Sequence, residues 1–366
     1  MIAVHTFRWS IEGKYQMGSR LKWQAFLALL VSTFCRGAES SPASPPVQRL
    51  ELVADVPLPG RPARFDYQAI DATNRRLFIA HMNDASVVVV STVDGKLLKV
   101  IGNVPTPRGV AVAPSVKRVF VTSSPGTLVI IDSESLTEVG RVATGRGPDG
   151  VAWDSLHGVV GVSDQGDGAI SLIAASGTGI RRQVALGRET GNVVFDPERA
   201  LFWITVVAES GPDLLIAVDP AAAQIIGKIP LPGCAGAHGL VIHPDGKSAL
   251  VACEGNSKVA RVGLAGSHAL SLAASGANPD VVAIDAELGF LYVAAESGDV
   301  RIYDLTKPGL VSIGRAQPGN GSHSVAVDPA THRLFFPLAV GPHGAPMLRV
   351  MRPVGSSEFK RGRSSI

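Results

Sequence analysis

An all-β fold, a seven-bladed propeller of four-stranded antiparallel blades, is what this 366-residue chain predicts, and three observations predict it. One phrase, two apolar runs around a tight turn, restarts at positions 66, 108, 149, 191, 238, 280 and 323, a repeat length of 41 to 47 residues. Its apolar runs are about five residues long, the length of strands and too short for helices. The 40 glycines and 25 prolines, finally, supply a turn between nearly every pair of runs.

The fullest copy runs from His238 to Gly276. His238 to His243 is apolar and turns at Pro244-Asp245-Gly246; Ser248 to Cys253 resumes and turns at Glu254-Gly255-Asn256-Ser257. Two further runs follow at Lys258–Val262 and Ala269–Ala273. Four short runs punctuated by Pro, Gly, Asn and Asp read as an antiparallel meander. Asp66 to Phe78 aligns without gaps over His323 to Phe335, so first and last copies are the same unit. The last copy stops after its third run, Pro346 to Arg352. Its missing fourth run resembles Val53 to Gly60, which matches Ile226 to Gly233 of the fourth copy. The N-terminal run is therefore expected to complete the seventh blade and leave no long strand edge open.

The ends differ from the repeats. Residues 1–38 read as an N-terminal extension and secretory signal: Arg20 and Lys22 precede an apolar run from Trp23 to Cys35, with small residues at Gly37 and Ala38 and Met17 as a candidate start. The run is too short for an ordinary membrane span. Residues 39–47 form a Pro- and Ser-rich linker, 48–353 the propeller, and 354–366 a disordered basic tail. Export to the periplasm or the extracellular space follows, with no transmembrane domain in the mature chain. The net charge of +3 comes from these ends; between them acidic residues outnumber basic ones, so no electrostatic footprint for nucleic acid remains. Cys234 and Cys253 are the two cysteines of the repeat region and fall near one end of blade five. A disulfide and two buried free thiols are both open readings.

The runs Leu291-Tyr-Val-Ala-Ala-Glu-Ser-Gly298 and Val119-Phe-Val-Thr-Ser-Ser-Pro-Gly126 carry a resemblance, as do the openings Gly147-Pro-Asp-Gly-Val151 and Ala237-His-Gly-Leu240. On these residues the chain resembles the bacterial YVTN-type propellers, relatives of the NHL type, over residues 48 to 353. The resemblance implies the fold; its motifs are strand and turn residues and imply no activity.

Chemistry is expected where first strands begin around the central channel. The seven equivalent first positions are Asp66, Arg108, Asp149, Gly191, His238, Asp280 and His323, six of them polar in otherwise apolar strands. At the ends of second strands stand His81, Asp164, Glu254 and Glu296. Together they predict a funnel of carboxylates and imidazoles that binds an unknown small molecule or an envelope protein, in a protein expected to be monomeric. Carboxylates gathered in a partly dry funnel either stay protonated or hold a cation. The expected ligands of a divalent cation, Mg²⁺ or Ca²⁺, are His238, Glu254, Asp280 and Glu296, although no cofactor is required. The alternative function is a metal-dependent lyase or lactone hydrolase in which His238, Glu254 and His323 are the catalytic candidates. The pair His238-Gly239 with Glu254 is similar in flavour to streptogramin-inactivating lyases, and Glu254, Asn256, Asn278 and Asp280 offer the residue types of gluconolactonase-type sites. The opposing reading is that blade-start polar residues only hydrogen-bond the loops between blades. His343 is expected to return to the funnel face, while His157, His243 and His332 belong to solvated turns on the other side. Asp71, Asp154, Asp196, Asp285 and Asp328 recur at one turn position and are expected to cap it.

Overall fold

A computed structural model describes residues 48–178 and 182–354. The expected signal at 1–38, the linker at 39–47 and the tail beyond 354 lie outside the described residues. Seven four-stranded antiparallel sheets form a ring, a β-propeller. Blade one comprises Gln68–Asp71, Arg76–His81, Ser86–Ser91 and Leu97–Ile101, each pairing with the next; blades two to six repeat this order, with inner strands at Pro107–Ala113, Pro148–Asp154, Glu189–Asp196, Ala237–Ile242 and Pro279–Asp285. In blade seven the order runs from Ala326–Asp328 through Arg333–Leu338 and Met347–Pro353 to Leu50–Pro57, which supplies the outer strand. That outer strand pairs antiparallel with Met347–Pro353 from Leu50 opposite Pro353 to Pro57 opposite Met347. Two ion pairs cross the seam, a fork of Arg349 on Asp55 with contacts of 2.8 and 2.7 Å and a pair between Arg352 and Glu51.

A sheet with two apolar faces must bury both, and the ring does so with one core between each pair of neighbouring blades. Phe78, Val89, Val119 and Ile131 fill the gap between blades one and two; Phe65, Ile79, Phe335 and Leu348 fill the gap between blades one and seven. Five equivalent clusters fill the other gaps. Stability in such an array is a sum of nearest-neighbour interfaces, so every blade depends on the two beside it.

The recurring turn aspartates cap their turns. Asp71 accepts from the backbone N–H of Asn74, Asp154 from Leu156 and His157, Asp196 from Glu198 and Arg199, Asp285 from Leu288 and Asp328 from Ala330. His332 corrects an expectation: it is almost fully buried, and its Nδ1 lies 2.7 Å from Asp285 Oδ2, tying blade seven to blade six. Turn position alone does not show that a neighbouring blade covers the turn.

Cys234 and Cys253 are bonded, with Cα atoms 5.2 Å apart, and both lie in the core between blades four and five. The bond closes a loop with a sequence separation of 19 residues. The double substitution C234A/C253A is therefore expected to cost about 3 kcal/mol, read as a lower urea midpoint. An unchanged midpoint contradicts it.

Candidate ligand site at the channel mouth

The backbone brings the first positions together by two devices. In blades two to six the inner strand carries a register shift within its first residues, between Pro107 and Val110, Pro148 and Val151, Thr190 and Val193, Ala237 and Leu240, and Pro279 and Val282. A bulge re-aims side chains that a regular strand would alternate. The glycines beside these positions then let neighbouring inner strands touch. A Cβ built on Gly109 would lie 2.2 Å from the Asp149 carbonyl oxygen, and one on Gly239 would lie 1.8 Å from that of Asp280. The exception among the first positions has the same cause: a Cβ on Gly191 would lie 2.7 Å from the Cα of His238. Hydroxyls stitch these contacts, as Thr122 Oγ1 accepts from Gly109 N–H at 2.7 Å and donates to the Asp149 carbonyl at 2.6 Å.

The six remaining first positions form one network. His238 Nε2 stands between two carboxylates, 3.4 Å from Asp149 Oδ2 and 3.6 Å from Asp280 Oδ1. Arg108 reaches Asp149 at 3.3 Å and Gln165 at 3.0 Å. Asp66, Asp280 and His323 each offer a ligand atom within 4.8 Å of the others. Two residues absent from the expected set belong here. Arg64 bonds Glu296 Oε1 at 2.5 Å and lies 3.5 Å from Asp280 Oδ2, and the Tyr67 hydroxyl donates to Asp280 Oδ1 at 3.4 Å. Arg64 precedes the repeated phrase, and Tyr67 stands at its second position, where the other blades carry Gly109, Gly150, Asn192, Gly239, Val281 and Ser324, so no recurring residue type marks either.

Burial sets the protonation of the mouth. It pushes the Asp66 carboxyl well above the usual range, and the charges of Asp149 and Asp280 push the same way against Arg64 and Arg108. For His238 burial disfavours the charged ring, but Asp149, Asp280 and Glu254 together outweigh it and hold its pKa above the ordinary value. Glu254 is raised by burial, with Asp280 and Glu296 adding to the effect and His238 opposing it. The mouth thus gathers more negative than positive groups around a partly dry space.

Three cavities meet this network. Arg188, Glu189, His238, Glu254 and Asn278 line one of about 300 Å³; Arg64, Phe65, Glu296, Asn320 and His323 line another of about 410 Å³. Below them the channel shaft, about 320 Å³, is walled by Val110, Val151, Val193, Val241 and Val282. Tyr67, Gln68 and Asn192 share the shaft wall with these valines.

Other expected site residues serve the scaffold. Asp164 accepts from Gly145 N–H, the Ser171 hydroxyl and the Gln183 amide, and so ties the loop before blade three to that blade's own strands. His81 stacks on Phe65 with ring centroids 4.0 Å apart and faces Asp84, and burial lowers its pKa. His343 lines a separate cavity with Asp55 and Met347 at the blade-seven seam, not the funnel, because the turn that carries it packs on the outer strands. The expected cation tetrad is also regrouped: Glu296 is taken by Arg64 and His238 stands between Asp149 and Asp280, leaving Asp280 as the one member in the close triplet with Asp66 and His323.

No protein-family model and no curated protein sequence matches the chain. Among solved structures, hydrazine synthase of Kuenenia stuttgartiensis matches with a TM-score of 0.66 at 17% identity, covering 77% of this chain and 93% of that one. The chain is a seven-bladed β-propeller. At that identity the likeness carries the fold alone. No helix among the described residues of the propeller is long and apolar enough to cross a membrane.

Proposed function

We propose that this propeller is an exported binding module of the YVTN type that takes a small ligand with a cationic or hydrogen-bond-donating group at the channel mouth. The observation that carries the reading is Asp149: the side chain is almost fully buried, and its Oδ2, with the His238 ring 3.4 Å away, accepts no hydrogen bond among the described residues. A buried acceptor left without a donor is costly, and a ligand ammonium or hydroxyl seated beside His238 supplies what is missing. The cavities on either side of the network give the ligand room, and the valines of the shaft offer contacts to a hydrocarbon portion. The bond between Cys234 and Cys253 supports an oxidising compartment, in line with the signal-like N-terminus. The strand-turn phrases at Leu291 and Val119 support the YVTN type.

The test is a thermal-shift panel on chelator-treated protein, with protonated amines set against carboxylic acids of matched size. An amine present at 100 times its Kd is expected to stabilise the fold by about 2.7 kcal/mol, a rise of several degrees. Acids should have no effect, and D149N should abolish the amine shift. Equal shifts in wild type and D149N would overturn the reading.

A further inference from the structure

We propose that Asp66, Asp280 and His323 hold one first-row divalent cation of Zn²⁺ or Mn²⁺ type at the channel mouth. The inference deepens the ligand-binding reading, on which it rests, by naming an ion that a hydroxyl oxygen of the ligand would coordinate.

Two observations carry it independently. The first is the triplet itself, two carboxylate oxygens and one imidazole nitrogen within 4.8 Å of one another, on three side chains each at least nine-tenths buried. Metal–oxygen and metal–nitrogen bonds are about 2.1 Å, so ligand atoms on one ion stand about 3 to 4 Å apart and the triplet needs only a small side-chain closure. The second is the state of the His323 ring. Its Nδ1 lies 3.0 Å from the Gly321 carbonyl oxygen, which can only accept, so Nδ1 carries the proton. Nε2 is then a bare lone pair, and it is buried without a hydrogen-bond partner among the described residues. A ring fixed through one nitrogen by a backbone carbonyl, with the other nitrogen buried and unpartnered, is the arrangement of a metal-binding histidine. Glu296 completes it from behind, with Oε2 at 3.5 Å from Nδ1 and Oε1 held by Arg64.

Charge agrees with geometry. Around the triplet, Asp66, Asp149, Asp280, Glu254 and Glu296 meet the counter-charges of Arg64, Arg108 and the His238 ring. A divalent ion offsets the surplus. The imidazole selects its class: nitrogen with two carboxylates suits Zn²⁺ or Mn²⁺, whereas Mg²⁺ and Ca²⁺, expected from a carboxylate-rich set, prefer oxygen throughout. Three protein ligands leave coordination positions open for water or for a donor atom of the ligand.

The test titrates Zn²⁺ and Mn²⁺ alone into chelator-treated full-length protein by calorimetry, with bound metal counted by mass spectrometry. One equivalent is expected in wild type and in H243A, whose histidine lies in an outer turn; H323A and D66N should each bind at least ten times more weakly while keeping the wild-type circular dichroism. No bound ion in wild type, or wild-type affinity in H323A, overturns the inference. Should a variant fail to fold, anomalous scattering at the zinc edge from wild-type crystals decides. A peak within bonding distance of Asp66, Asp280 and His323 supports the site, and a peak elsewhere overturns it. Amine shifts on the same chelated samples report separately on the ligand reading.

Discussion

Removing residues 48 to 57 is expected to leave a chain without a cooperative thermal transition that aggregates on expression. The segment Leu50–Pro57 is the outer strand of blade seven, and its loss uncovers the edge of Met347–Pro353, a ready template for another chain. It also strips Ala54 and Val56 from the core between blades seven and one, where they pack with Phe65, Leu348 and Val350. In a closed ring that interface cannot fail alone, because each blade is held by its two neighbours. Circular dichroism melting checks this, and a melting temperature within two or three degrees of the full chain would contradict it. D55N is the graded version. The Arg349 fork holds the Asp55 carboxyl below its ordinary value of 3.8. Its contribution is therefore complete above that value and is lost as pH falls through the lower, folded-state value. The pair is partly exposed, so about 1 kcal/mol is the ceiling.

Gly239→Ala is expected to be the most damaging single methyl group in the molecule. The added Cβ would lie 1.8 Å from the Asp280 carbonyl oxygen and 3.3 Å from the Ala252 side chain. Backbone cannot rotate away as a side-chain tip can, so blades five and six must separate at the mouth. A loss of about 3 kcal/mol or more is expected, with weakened amine and cation binding because His238 and Asp280 part with their strands. Gly109→Ala, 2.2 Å from the Asp149 carbonyl, should behave alike. Gly102→Ala meets nothing within 4 Å and should stay within about 0.5 kcal/mol of wild type. Chemical denaturation of the three variants checks the series, and equal stabilities would contradict it.

Strand number and sheet count were legible because repetition multiplies a weak signal: one five-residue apolar run is ambiguous, but seven phrases in register are not. The convergence of first positions was legible for the same reason. What the repeat did not carry was local. Arg64 lies before the repeated phrase and Tyr67 at its variable second position, and both reach Asp280 across the channel, a contact no period encodes. The glycine after His238 and Asp149 could be read as a blade opening, but its close approach to the next blade's backbone depends on the ring's radius. Asp164 was misleading as a funnel residue because its carboxylate is spent on its own blade and the loop before it. His343 shows the limit of placing an extended turn by repeat register: its cavity opens at the outer seam.

The central claim is that inner-strand starts from different blades build one ligand pocket around the channel axis. A crystal structure of the protein soaked with the amine giving the largest thermal shift tests it most directly. The account predicts density for the ammonium group between Asp149, His238 and Asp280. Density only in the seam cavity of Asp55 and His343, or none at the mouth with the amine at saturating concentration, would contradict it.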